Sequence, residues 1–191
     1  MITEIPYNRE RAVEYARRWA LSRNPLFIDF TGIGGNCTNF VSQCIFAGAP
    51  VMNFTETFGW YYLSPDDRAP AWSGVEELYN FLIGAVDFRE ANGGTGPYGM
   101  RAGMPSQVQL GDIVQLQNGN GDFYHSLIIS GFERSEILVC AQSNDALDRP
   151  LSSYSYAGLR VIHIEGARVE INTETPFKNI LDGVSIDPLK V

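Results

Sequence analysis

Near residue 108 the hydrophobic period of this chain changes from that of a helix to that of a strand, so helices and strands occupy separate parts of the sequence. Before it, Ala12, Tyr15, Ala16, Trp19 and Ala20 recur at spacings of three and four. They predict an amphipathic helix from Asn8 to about Arg23, with Asn8 as its cap and Asn24-Pro25 as its stop. A second helix is expected to begin at or next to Cys37, directly after Gly34-Gly35-Asn36, and to run through Ala47 until Gly48 and Pro50 end it. Its inward stripe reads as Phe40, Val41, Cys44 and Ile45. Ser73 and Glu76 have capping-box spacing and predict a third helix, with Val75, Leu78, Tyr79 and Leu82 on its core face and Gly84 at its end. Beyond the switch, VQLGDIVQLQ, HSLIISGF, EILVCAQS and LRVIHI alternate with period two between Gly, Asn and Ser turns. Helices first and strands second predict an α+β fold, its N-terminal helices packed on one side of a C-terminal antiparallel sheet.

A chain of 191 residues suits one domain, 1–191, in which the residues after about 166 form a C-terminal extension wrapping the surface. Residues 52–70, with Phe54, Phe58, Trp60, Tyr61 and Tyr62 in close succession, read as a packed loop or short hairpin. Residues 92–103 hold five glycines and read as a surface loop able to cover a cleft. A formal charge of −8 without a basic stripe argues against nucleic acid as a partner. No apolar run reaches roughly 18 residues, so no membrane span is expected. The N-terminus carries acids and arginines where an export signal needs an apolar core, so no signal is expected in this chain, and cytoplasmic and exported locations both stay open. The sequence sets no oligomeric state.

Three cysteines and two histidines are too few for a zinc-rich or disulfide-rich scaffold, and no C-x-x-C pair exists. Position separates them. Cys37 stands at a helix start, where unpaired N–H groups and the helix dipole favour a thiolate nucleophile; the competing reading is a small buried hydrophobe. Backbone donors near residues 36 to 38, with Asn36 and Thr38 as supporting residues, are placed to stabilise an oxyanion. Cys44 lies two turns further along the same helix face and reads as structural, as does Cys140 within its strand. His125 opens a strand after the loop NGNGDFY and suits a general base at a cleft edge, whereas His163 sits inside an alternating strand and reads as a hydrogen-bonded structural residue. If the strands from His125 and from Glu136 form a hairpin turning near Glu133-Arg134, residues 142 to 144 return beside His125. Gln142 then leads as the group that orients the imidazole, followed by Asn144 and by Asp145 as a charged option, an assignment that a one-residue shift in register would overturn. Trp60, Tyr61, Tyr62 and Trp72 serve either as an apolar, sugar-stacking wall of the cleft or as core filling.

The segments YNRERAVEYARRWALSRNP, GGNCTNFVSQCIFAGAP, AWSGVEELYNFL, YHSLIIS and AQSNDALDRPL together resemble the bacterial putative amidase-domain family, over most of residues 7 to 163. That family is similar to papain-like cell-wall cysteine peptidases. The resemblance implies a papain-like core with Cys37 as nucleophile and His125 as base, and Thr38, Asn39 and Phe40 match the family's residues after the nucleophile. Asn36 stands where the family usually has aspartate, and Gln142 where histidine is common. The implied activity is cleavage of a peptide or amide bond, in cell-wall or surface material, through a thioester, with neither metal nor organic cofactor. The competing readings are a binding module of the same fold without turnover and an acyl or peptidyl transferase.

Overall fold

The computed structural model describes residues 2–103, 107–170 and 177–184. Helix α1 spans Arg9–Trp19, and Asn8 caps it by accepting the Arg11 N–H at 3.0 Å. Ala12, Tyr15, Ala16 and Trp19 are buried along the expected face. Helix α2, Cys37–Gly48, begins at the expected cysteine but has no solvent face, because every residue in it is buried. The stripe of Phe40, Val41, Cys44 and Ile45 is therefore only part of its contact surface. A helix packed on all sides must satisfy its polar groups internally. Asn39 Oδ1 accepts Trp72 Nε1–H at 2.8 Å, Ser42 Oγ accepts Trp60 Nε1–H at 3.1 Å, and Gln43 Oε1 accepts the Tyr15 hydroxyl at 2.8 Å.

The aromatic stretch before residue 70 forms a small hairpin, β2 (Tyr62–Ser64) with β3 (Asp67–Arg68), introduced by an Asn53–Trp60 bridge. Its large rings turn inward, with Trp60 and Trp72 centroids 4.8 Å apart and Phe27 stacked on Trp72 at 5.7 Å. Helix α3 (Pro70–Ser73) and helix α4 (Val75–Ile83) follow. The expected capping box does not form. Gly74 occupies the cap position, Ser73 is drawn into α3 and its hydroxyl accepts Arg68 Nε–H at 3.2 Å, while Glu76 pairs with Arg160 at 3.1 Å. Of the expected core face, Leu78 and Leu82 are buried beside Phe81, and Val75 and Tyr79 are only half-buried. Gly84 ends α4 at φ +63°, in the left-handed region that favours glycine.

The glycine-rich stretch at 92–103 is not a surface loop. Helix α5 (Arg89–Asn92) leads into strand β4 (Gly96–Ala102), which pairs with a later strand. That pairing overrides the low strand propensity of glycine, and at Gly99 it requires one, because a β-carbon there would collide with the His163 carbonyl.

Strands β5 (Ile113–Gln117), β6 (Phe123–Glu133), β7 (Glu136–Ala141) and β9 (Gly158–Val169) lie on the four alternating segments, with β8 (Ala146–Pro150) between the last two, but residues 108–112 of the first segment and 142–143 of the third are outside the strands. A short strand β1 (Thr3–Pro6) joins them, giving a seven-stranded antiparallel sheet among the described residues. Strand β9 is long enough to serve three neighbours: β4 lies along one of its edges, while β5 and β1 divide the other. One face of the sheet, with Ile113, Ile128 and Ile162, packs under the helices; the opposite face, with Val114, Leu127, Val139 and Val161, forms a second apolar cluster around Leu151. The fold is mixed α+β. Past residue 166, β9 continues to Val169, and helix α6 (Phe177–Leu181) docks by placing Ile180 in the core and by accepting Trp19 Nε1–H at the Leu181 carbonyl, 2.9 Å. Among the described residues, no helix is long and apolar enough to cross a membrane.

Candidate active site

Gly34 and Gly35, at φ +108° and +103°, bend the chain into α2 through backbone conformations that side-chain-bearing residues avoid. Asn36 then holds the helix start from several directions. Its Oδ1 accepts the Phe30 N–H at 3.0 Å and Asn39 Nδ2–H at 2.8 Å, its Nδ2 donates to Gln142 Oε1, and its backbone N–H donates to Ser143 Oγ. Gln142 continues the chain of bonds by donating to the Trp19 and Ser22 carbonyls, each at 2.8 Å. The end of α1 and the start of α2 are thus tied through one amide pair. Both side chains are almost fully buried. This network places Cys37, whose thiol is free and 7% exposed. Thr38 anchors the same turn to the sheet through Ser126 Oγ at 3.0 Å.

His125 lies in β6, opposite Leu116 in β5 and on the face that carries Leu127 and Ile129. Ser126 points to the opposite face, toward Thr38, as strand alternation requires. At this end of the strand both faces meet one cleft of about 470 Å³, lined by Gly34, Gly35, Cys37, His125, Tyr154 and Arg149, among others. The imidazole stacks on Tyr124 at 6.1 Å and lies 6.2 Å from the Tyr154 ring. Burial, and then the Arg149 cation, lower its pKa to about 4, so the ring is neutral near pH 7. Among the described residues, His125 Nε2 is buried without a hydrogen-bond partner, and the Tyr154 hydroxyl faces the Arg149 guanidinium. Cys37 and His125 share the cleft with no hydrogen bond between them; the polar neighbour of Cys37 Sγ is Thr38 Oγ1 at 3.8 Å.

The hairpin register pairs Ile128 with Cys140 and closes at Glu133–Glu136, so residues 143 and 144 do return to the cleft. The three candidate orienting residues separate there. Gln142 spends its amide on Asn36 and the end of α1, Asp145 pairs with Arg23 at 2.9 Å, and Asn144 lines the cleft with its side chain uncommitted among the described residues. None of them hydrogen-bonds the imidazole. The Asn36 N–H, expected near an oxyanion, is engaged by Ser143, whereas the N–H groups of Cys37 and Thr38, in the first turn of α2, have no acceptor within the helix. Trp60 and Trp72 are fully buried in the aromatic core, and Tyr61 packs on Phe54, so none of the three lines the cleft. Its aromatics are Tyr124 and Tyr154. Those two, with Ser143 and Arg149, escaped sequence reasoning, although AQSNDALDRPL already contained Ser143 and Arg149. His163 is a satisfied strand histidine: its Nδ1 lies 2.9 Å from the buried Asp112, which also pairs with Arg9 at 2.6 Å.

Over residues 6–164 the sequence matches the family described as "Putative amidase domain". This chain belongs to that family. Across 143 residues it is also 27% identical to "Uncharacterized protein YhbB" of Bacillus subtilis (strain 168), a stretch covering 73% of this chain and 42% of that protein. The chain thus spans less than half the length of that relative. No solved structure matches it. Cys37, His125, Gln142 and Arg149 all fall within the amidase-domain match, whereas α6 lies beyond it.

Proposed function

We propose that this amidase-domain chain is a cysteine-dependent hydrolase of amide or peptide bonds. The observation that carries the reading is one cleft holding both a thiol at a helix N-terminus and a buried imidazole nitrogen that has no partner among the described residues. In the proposed reaction, a rotation about the Cys37 side chain brings Sγ to His125, and the neutral ring takes the thiol proton as sulfur attacks the carbonyl carbon. The Cys37 N–H and the dipole of α2 stabilise the oxyanion. The imidazolium returns its proton to the nitrogen of the breaking C–N bond, releasing an amine and leaving a thioester. Water, deprotonated by His125, then releases the acid and restores the thiol. Resolution by an amine in place of water would make the same intermediate that of a transferase. Asn144 is the uncommitted side chain proposed to orient the ring, Thr38 braces the helix start, and Gln142, Asn36 and Asp145 are proposed to support the site from behind. A papain-like core and a peptide substrate of cell-wall or surface material are the finer reading, resting on the sequence resemblance.

A binding module without turnover is the second reading, favoured by the absence, among the described residues, of a hydrogen bond to His125 Nε2. The test is alkylation with iodoacetamide from about pH 5 to pH 9, with the modified residue mapped by mass. The expected result is preferential labelling of Cys37 over Cys44 and Cys140, with a pH profile altered in His125→Ala. Amide hydrolysis should vanish in Cys37→Ser. Labelling of Cys37 only after unfolding removes the nucleophile. A profile indifferent to His125→Ala removes the base.

A further inference from the structure

Arg149 is out of keeping with its surroundings. The chain carries a net charge of −8, yet among the described residues lining the cleft Arg149 is the formally charged side chain and no carboxylate is present. Neighbouring arginines are neutralised: Arg17 pairs with Asp148 at 3.1 Å and Arg23 with Asp145 at 2.9 Å. Arg149 instead is held by neutral groups. Its Nε donates to Ser153 Oγ at 2.8 Å, one terminal nitrogen donates to the Ser153 carbonyl at 3.1 Å, and its Cζ lies 4.1 Å over the Tyr154 ring. The strand sets its direction. Arg149 is opposite Val139, on the face shared with His125, while the adjacent Asp148 is turned away to Arg17 and Ser130. A guanidinium held from one side by a serine and an aromatic ring presents its remaining N–H groups as a fork, which suits a carboxylate.

We propose that the cleft takes amides bearing a carboxylate close to the scissile bond, and that Arg149 receives that carboxylate. The inference rests on Cys37 being the nucleophile of the preceding section and names the substrate class of that site. Recognition at the site is governed by the charge lining the cleft and not by the sum of −8 over the chain.

Iodoacetate and iodoacetamide attack the same sulfur and differ by one carboxylate, so the ratio of their rates at Cys37 is independent of the thiolate fraction. The expected result is a fall in the iodoacetate-to-iodoacetamide ratio of about two- to fivefold in Arg149→Gln, the range for an exposed ion pair, with an intermediate ratio in Arg149→Lys, which keeps the charge and loses the fork. The wild-type advantage should shrink in about 0.5 M salt. N-acetylglutamine and N-acetylglutamate α-amide, used as protectants against iodoacetamide, separate an α-carboxylate from a side-chain one; both should lose their effect in Arg149→Gln. Equal ratios in wild type and Arg149→Gln, with Cys37 labelled in both, overturn the proposal and leave the nucleophile standing. Failure of native Cys37 to react with either reagent overturns the nucleophile and this proposal with it.

Discussion

Gln142→Leu is the most direct perturbation of the tie between the two N-terminal helices. Leucine keeps roughly the volume of glutamine but returns none of its three hydrogen bonds. The partners do not suffer equally. The Ser22 carbonyl belongs to an exposed residue and regains water, and the Trp19 carbonyl keeps the Ser22 N–H at 3.1 Å. Asn36 Nδ2 is in a side chain only 1% exposed and is left with an unmade bond, which costs about 1–3 kcal/mol. Adding about 1 kcal/mol for the two carbonyl bonds gives a destabilisation of about 2–4 kcal/mol. With a urea slope of about 2–3 kcal/mol per molar, the unfolding midpoint should fall by roughly 1 M. The tryptophans, Trp19, Trp60 and Trp72, are all buried and report the transition by fluorescence. Asn144→Ala is the matched control, since that side chain bonds to nothing among the described residues, and its midpoint should stay within about 0.5 kcal/mol of wild type. A Gln142→Leu midpoint indistinguishable from that of Asn144→Ala would refute the reasoning.

Two further outcomes follow from burial and from sterics. His125 has a folded pKa of about 4 against about 6.5 unfolded, so the unfolded chain binds the extra proton between these values and stability falls as pH drops through that window, by about 3 kcal/mol in all. Urea midpoints measured from about pH 7 to pH 4 should show this slope in wild type and a flatter one in His125→Gln; equal slopes contradict the assignment. Gly48→Ala places a β-carbon against the Tyr7 ring and 2.9 Å from the Asn8 carbonyl, so it should lower the thermal midpoint at a cost of about 1–3 kcal/mol. Gly119→Ala, with nothing within 4 Å, should leave the midpoint unchanged, and equal midpoints for the two variants would contradict the packing argument.

Features encoded by local chemistry are legible in the chain. Asn8 and Gly84 bound their helices because capping acts within one turn, and the alternation in β5, β6, β7 and β9 is visible because a pleat repeats every second residue. Cys37 at the start of α2 belongs to this class, since the preceding glycines break the chain locally. Position in the chain also set His125, before an apolar run, apart from His163. Other features were decided only by tertiary structure. Gly96–Ala102 is a strand because β9 offers it an edge, and Thr3–Pro6 is one because β9 outlasts β5. The capping box at Ser73 was lost because α3 absorbs that serine. Trp60 and Trp72 went to the core because α2 is buried all round and needs donors for Ser42 and Asn39. Sequence identified Gln142 as a polar residue near the site, but strand register and the approach of α1 turned its amide to Asn36 instead of His125. The cleft itself, with Arg149 facing it and Asp148 facing away, exists only once β8 is paired. The physical reason is range: caps and pleats act over a few residues, whereas a cleft is made by segments more than a hundred residues apart whose meeting depends on register and packing.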